Sequence, residues 1–118
     1  MALDIVQLQQ RLREFSAERD WDQFHTPKNL ACALSVEAAE LLELFQWLND
    51  EQAQTAPQQP EFATRLGEEI SDVLLYLLRL ADVTGIDLAA VVERKIALNA
   101  LKYPAEQARG HARKYDQL

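Results

Sequence analysis

Two carboxylates in this chain stand where a helix would turn its side chains inward. Wound at about 100° per residue, residues 27–48 place Leu30, Leu34, Leu41, Leu44 and Leu48 on one face, with Glu37 in the middle of it. Glu40 falls on one border of that face, on the same strip as Asn29 and Trp47, and Glu43 points away. Residues 61–84 repeat the arrangement. Glu69 falls on an inward sector between Tyr76 and Phe62 or Leu80, and Asp72 falls at its polar border, with Glu68 and Arg79 on the outer side of that border. An ionised carboxylate on an apolar face is costly to desolvate unless it is paired or binds a metal. Two antiparallel helices that bring these faces together gather Glu37, Glu40, Glu69 and Asp72 around one point. Four like charges in a small volume require a cation or raised pKa values.

Oxygen-only ligands favour Mg²⁺ or Mn²⁺ over zinc. A di-iron carboxylate bundle would use Glu-x-x-His elements. Neither helical segment has one, because His25 and His111 fall in a loop and in the tail. Two plainer readings compete: a buried Glu37 neutralised by an Arg or Lys, and a solvated charged stripe. The second acidic pair, at the same spacing and also facing inward, favours the cage.

The rest of the chain is helical in pattern, with no sustained alternation of the kind a strand shows, so the fold class is all-α. Residues 3–18 carry Ile5, Leu8, Leu12 and Phe15 on one stripe, and residues 19–25 form a loop rich in aromatic and polar groups. Thr26-Pro27 is a hydroxyl N-cap followed by proline at the first helical position. Residues 49–60 read as a polar connector. Gly85 reads as the residue that ends the third long helix, Asp87 as the cap of a fourth that runs to about Lys102, and Tyr103-Pro104 as its stop. Residues 105–118 are expected to be a tail that packs across something. The expectation is a single domain, 1–118, built on four long helices.

Composition narrows the function. The net charge is −7, which argues against a nucleic-acid polymer as partner, since phosphate backbones need a basic face. It leaves a nucleotide open, because a metal can bridge acidic protein and phosphate. No apolar run reaches the roughly 18 residues of a membrane span, and residues 1–4 show no signal-peptide pattern, so a cytoplasmic protein with no membrane partner is expected. Cys32, the one cysteine, lies in a helical apolar pattern and is expected to be a buried, inert thiol.

A metal cage explains triphosphate binding but not base choice. Trp21, Phe24, His25, Trp47 and Tyr76 can supply a stacking pocket, and base–aromatic stacking contributes about 1–3 kcal/mol. Trp47 shares the border of its helix with Glu40, and Tyr76 lies one turn after Asp72. For any one aromatic, core packing is the commoner fate; their grouping around the acids is what counts. Lys95 and Asn99, one turn apart in the fourth helical segment, can reach a phosphate or pair an acid, against the alternative of a snorkelling lysine. Lys102, Arg109, Arg113 and Lys114 read as ordinary surface charge.

The runs RDWDQFHTPKNL, SVEAAELLELFQWL, GEEISDVLLYLLRLA, KIALNALKYP and RGHARKYDQL resemble the MazG-like nucleotide pyrophosphohydrolases, in particular the dCTP pyrophosphatase branch. The resemblance covers nearly the whole chain and follows E-x-x-E, a gap, then E-x-x-D. It implies an all-α homo-oligomer, typically a tetramer, with Mg²⁺ on Glu37, Glu40, Glu69 and Asp72. The implied reaction splits a nucleoside triphosphate into monophosphate and pyrophosphate. By motif position the resemblance places Trp21, Asp22, Gln23, Phe24, His25, Trp47 and Tyr76 around the nucleotide, with Lys95, Asn99 and Tyr103 near phosphates or base. One departure is Leu12, where the vertebrate branch carries a histidine, which leaves the base preference open.

The chemistry expected is metal-assisted attack of water at the α-phosphorus. Glu37 or Glu40 is the base, and Lys95 stabilises the leaving pyrophosphate. Other substrates within the same chemistry are dUTP or a damaged purine nucleotide. Outside it stands a non-catalytic helical interaction module. The long third helix carries Ile70, Val73, Leu74, Leu75, Leu77, Leu78, Leu80 and Val83 around most of its circumference, more than one partner helix can cover. A homo-oligomer is expected on that ground as well.

Overall fold

The computed structural model describes residues 1–117; Leu118, the end of the expected tail, lies outside the described residues. Six α-helices are present, and no strand among the described residues: α1 (Ile5–Glu18), α2 (Pro27–Glu43), α3 (Asp50–Thr55), α4 (Pro60–Thr84), α5 (Leu88–Lys102) and α6 (Ala105–Ala108). Single 3-10 turns follow α3, at Ala56–Gln58, and close the described chain, at Tyr115–Gln117. The chain divides into two compact units, Met1–Gly85 and Ile86–Leu118.

Local chemistry sets the boundaries. The Asp4 carboxylate accepts from the Gln7 N–H to start α1, and the Thr26 hydroxyl accepts from the Asn29 N–H to start α2, with Pro27 at its first position. Gly85 ends α4 in the left-handed region, at φ 72°, which glycine enters without a Cβ penalty. Asp87 caps α5 through the Ala90 N–H. Asp20, at φ 56°, turns the chain after α1; the Gln23 side chain donates to its carbonyl and carboxylate at 3.0 and 3.1 Å.

Three expectations need correction. Helix α2 stops at Glu43 rather than near residue 48, and residues 44–47 form turns, so Trp47 does not share a helical border with Glu40. The segment 49–60 is not a plain connector. Asn49 and Gln52 form a reciprocal capping box, each side chain accepting from the other residue's backbone N–H, and this nucleates α3. Cys32 is exposed, not buried.

In the first unit, α4 packs against both α2 and α1. Phe45, just past α2, meets Phe62 near the start of α4 with ring centroids 5.4 Å apart. Glu37 and Glu40, earlier on α2, meet Glu69, later on α4. The two helices therefore run antiparallel. Leu30, Leu44, Leu78 and Ala81 are buried, and with them Ser16 and Arg79. Along α1, Gln9 donates to the Leu78 carbonyl at 3.0 Å and Arg13 pairs with Asp82 at 3.1 Å.

The second unit is α5, α6 and the closing turn. Tyr103, the C-cap of α5, meets Tyr115 edge-on at 6.4 Å, and the Lys102 ammonium lies 5.0 Å over the Tyr115 ring. The tail is thus folded onto the end of α5. No residue of α5 is buried. Among the described residues no helix is long and apolar enough to cross a membrane.

Candidate active site

The acid cluster is built by register. Glu37 and Glu40 lie one turn apart on α2, Glu69 lies opposite on α4, and each of the three offers a carboxylate oxygen within 4.8 Å of the other two. Asp72 stands one turn beyond Glu69, near enough that its charge acts on both Glu37 and Glu69. The inward placement read from the helical wheel is what the fold adopts: Glu37 and Glu69 are half-buried and Glu40 is exposed.

The energetics of this cluster are unfavourable without a ligand. Burial pushes the Glu37 carboxyl up to about 7. A hydrogen bond with Glu40 and the charges of Glu40, Asp72 and Glu69 act in the same direction. Burial also raises Glu69, with the charges of Glu40 and Asp72 next in weight. One oxygen of each, Oε2 of Glu37 and Oε2 of Glu69, is buried with no hydrogen-bond partner. Polar atoms in that state are uncommon in folded proteins and call for an explanation such as a bound ion. The donor set is all oxygen and anionic, as a hard divalent cation requires. The residues therefore fit a hard divalent cation.

Beside the cluster a cavity of about 220 Å³ opens between α1, the following loop and α4. Leu12, Phe15, Trp21, Leu75 and Tyr76 give it apolar and aromatic walls, and Asp72, His25 and Arg79 give it polar ones. Trp21 meets Phe15 edge-on at 5.7 Å and stands 6.2 Å from the His25 ring. Asp72 belongs to both features: it lines the cavity and its charge reaches the acids. The site thus has one charged end and one aromatic end.

Of the residues expected around a nucleotide, Trp21, His25 and Tyr76 line the cavity. Asp22 is bound to Arg79 at 2.9 Å, and Gln23 serves the turn at Asp20. Phe24 is exposed, and its carbonyl accepts from the Asn29 side chain. Trp47 is 85% exposed and is not part of the cavity wall. Lys95 and Asn99 are exposed on α5, and Tyr103 ends it.

Sequence reasoning misplaced Arg79. Expected on the outer side of the α4 border, it is buried. Its Nη2 donates to Asp22 Oδ1 at 2.9 Å and to Ser16 Oγ at 3.4 Å, and its Nε donates to His25 Nδ1 at 3.1 Å. Its Nη1 lies 3.6 Å from Asp82 Oδ2. The signal was present: Arg79 follows Asp72 by seven residues, two turns along the same strip. Its partners, Ser16 and Asp22, carried no periodic signal. Burial and the Arg79 charge lower the His25 pKa, against a smaller upward pull from Asp22.

A family model described as MazG-like matches residues 32–118. The chain belongs to the MazG-like family. It is 48% identical over 105 residues to dCTP pyrophosphatase 1 of Homo sapiens, and 50% identical over 107 residues to dCTP pyrophosphatase 1 of Rattus norvegicus. Each match covers 89% of this chain and 62% of the other, so the chain spans less than two thirds of the length of these curated relatives. A crystal structure of a pyrophosphatase from Archaeoglobus fulgidus superposes with a TM-score of 0.77 at 43% identity, covering 88% of this chain and 95% of that one.

Proposed function

We propose that this MazG-like chain is a nucleoside triphosphate pyrophosphohydrolase acting on dCTP or a modified deoxypyrimidine triphosphate, with monophosphate and pyrophosphate as products. One observation carries the reading: Asp72 is shared between a cluster of acids with orphaned buried oxygens and a cavity walled by Phe15, Trp21 and Tyr76. A triphosphate needs the first and a base needs the second. Relatives named dCTP pyrophosphatase 1 and a solved relative named a pyrophosphatase support it.

Glu37, Glu40, Glu69 and Asp72 would hold Mg²⁺, with Mn²⁺ as a substitute. A divalent ion held by these residues would supply charge neutralisation to the phosphates and a lowered pKa to the attacking water. Glu37 and Glu40 are the candidates to accept the proton of the attacking water. Trp21 and Tyr76 stack the base while Leu12 and Leu75 exclude water from it. Lys95 is assigned to the charge on the leaving pyrophosphate, and Asn99 and Tyr103 to phosphates or base. Asp22, Gln23 and Phe24 then act by shaping the loop, and Trp47 would meet the nucleotide from its exposed turn.

The two units are taken as one MazG-like domain, since the family match runs across their boundary. Assembly into a homo-oligomer is supported by uncovered apolar side chains, since Ile70 and Leu77 on α4, and Val92, Ile96 and Leu98 on α5, are all exposed; a tetramer is what the resemblance to the family implies. A four-helix MazG-like bundle is the fold the resemblance implies. A cytoplasmic setting suits a nucleotide substrate.

Hydrolysis of dCTP in ¹⁸O-water with Mg²⁺ tests the reaction. Labelled dCMP with unlabelled pyrophosphate is expected. Label in pyrophosphate, or orthophosphate with dCDP, would contradict attack at the α-phosphorus. Because Leu12 leaves that wall of the cavity apolar, dUTP and damaged purine triphosphates belong in the same panel. If no triphosphate releases pyrophosphate with Mg²⁺ or Mn²⁺, the enzyme reading gives way to a helical interaction module.

A further inference from the structure

We propose that Arg79 is a positioning residue for recognition in the cavity: it fixes His25 as the Nε2–H tautomer, so that the cavity reads a hydrogen-bond acceptor on its occupant. A guanidinium N–H can only donate. The 3.1 Å contact from Arg79 Nε therefore requires His25 Nδ1 to be the acceptor, which puts the single proton of a neutral imidazole on Nε2. Ser16 does not compete for that nitrogen. Its hydroxyl stands 3.3 Å from His25 Nδ1 but 2.6 Å from Asp22 Oδ1, and a charged carboxylate is the stronger acceptor.

Arg79 lines the cavity, but its hydrogen bonds run to the protein around it. Its Nη2 donates to Asp22 and Ser16 and its Nε to His25, while its Nη1 lies 3.6 Å from Asp82 as an ion pair. His25 Nε2, by contrast, has no hydrogen-bond partner among the described residues, and His25 forms part of the cavity wall. The neutral form is also the one its surroundings favour, since burial and the nearby guanidinium both disfavour the imidazolium. The cavity then offers stacking walls and one fixed donor. A pyrimidine carbonyl or unprotonated ring nitrogen meets that donor; a group that presents N–H does not.

The identity of the occupant rests on the proposed nucleotide reading, whereas the tautomer does not. Two-bond ¹H–¹⁵N correlation of the full chain at neutral pH reads it directly. His25 is expected to show an unprotonated Nδ1 and a protonated Nε2. Asp22→Asn, which leaves the Arg79 Nε–H in place, should keep that pattern. Arg79→Gln should lose it and show both tautomers. Arg79→Lys serves if that variant does not fold: it keeps the charge opposite Asp22 but has no Nε–H. A proton on Nδ1 in the unmodified chain, or an unchanged spectrum in both Arg79 variants, overturns the proposal.

With dCTP as probe, Arg79→Gln and His25→Phe should each raise KM by up to about tenfold, the size of one neutral hydrogen bond. The change should fall on KM rather than kcat, and the double variant should be no worse than the poorer single one. An unchanged KM in both, or full additivity, counts against recognition through His25. If the chain hydrolyses no triphosphate yet shows the Arg79-dependent tautomer, the catalytic reading alone fails. Titration with dCMP then replaces KM: a shift of the His25 Nε2–H signal supports the donor, and no shift at saturation overturns it.

Discussion

One helix carries two charged clusters that obey opposite rules. Near its middle, α4 contributes Glu69 and Asp72 to a group of like charges that leaves two carboxylate oxygens buried without partners. Two turns later the same helix contributes Arg79 to a group of opposite charges in which each guanidinium nitrogen has a partner. Unpaired buried polar groups cost the fold free energy, whereas paired ones hold elements together. The Arg79 group ties the loop after α1 to α4 and needs nothing from outside. The acid group works against the fold that holds it, and makes sense once a cation completes it. Polarity alone therefore does not mark a site; unmet demand does.

The largest expected effect separates the two clusters by activity. Glu37→Gln or Glu69→Gln should lower kcat/KM for pyrophosphate release by on the order of a hundredfold or more, the scale of losing a charge-stabilising group. The same variants should raise the melting temperature in EDTA, since each relieves repulsion. A destabilised metal-free Glu69→Gln would mean that the acids help hold the fold, and would break the contrast.

Next in size is the ion itself. Mg²⁺ at a hundred times its dissociation constant should stabilise the chain by about 2.7 kcal/mol, seen as a rise of several degrees in thermal melts against EDTA. Arg79→Leu should leave that rise intact while lowering stability in both buffers by about 2 kcal/mol, from lost charge-assisted hydrogen bonds. Urea titration measures it. Asp22, whose side chain is 62% exposed, can be solvated when its partner is removed, which keeps the loss below that of a fully buried pair.

A further contrast lies in pH. Glu37 has a folded pKa of about 7 against 4.5 as the ordinary value, so the folded state holds its proton more tightly. Its contribution to stability is fully present below pH 4.5 and is lost as pH rises through about 7. Metal-free chain should therefore lose stability across that window, the reverse of a salt-bridged carboxylate. Saturating Mg²⁺ should remove the slope or invert it, because the ion binds ionised acids. Melting temperatures measured from pH 4.5 to 8 in EDTA and in Mg²⁺ check both signs.

The acid cluster was legible because it is a register property: a helical wheel drawn on α2 and α4 puts Glu37 and Glu69 inward, and tertiary packing keeps them there. Caps were legible for the same local reason at Thr26, Gly85 and Asp87. The end of α2 was not, since Leu44 and Leu48 continue the apolar period while the backbone leaves the helix after Glu43. Helix α3 was hidden in a stretch poor in apolar residues, where Asn49 and Gln52 supply the start through their own side chains. Arg79 was misread because a wheel assigns a charged residue to solvent, and the partners that reverse this, Ser16, Asp22 and His25, lie 54 to 63 residues away in sequence.

Equilibrium titration of Mg²⁺ into metal-free protein by calorimetry tests most directly whether the acids between α2 and α4 form a cation site. Saturable binding with proton release is expected in the unmodified chain and in Arg79→Leu, and its loss in Glu37→Gln and Glu69→Gln. Absence of saturable binding, or equal binding in the Glu37 and Glu69 variants, would contradict it.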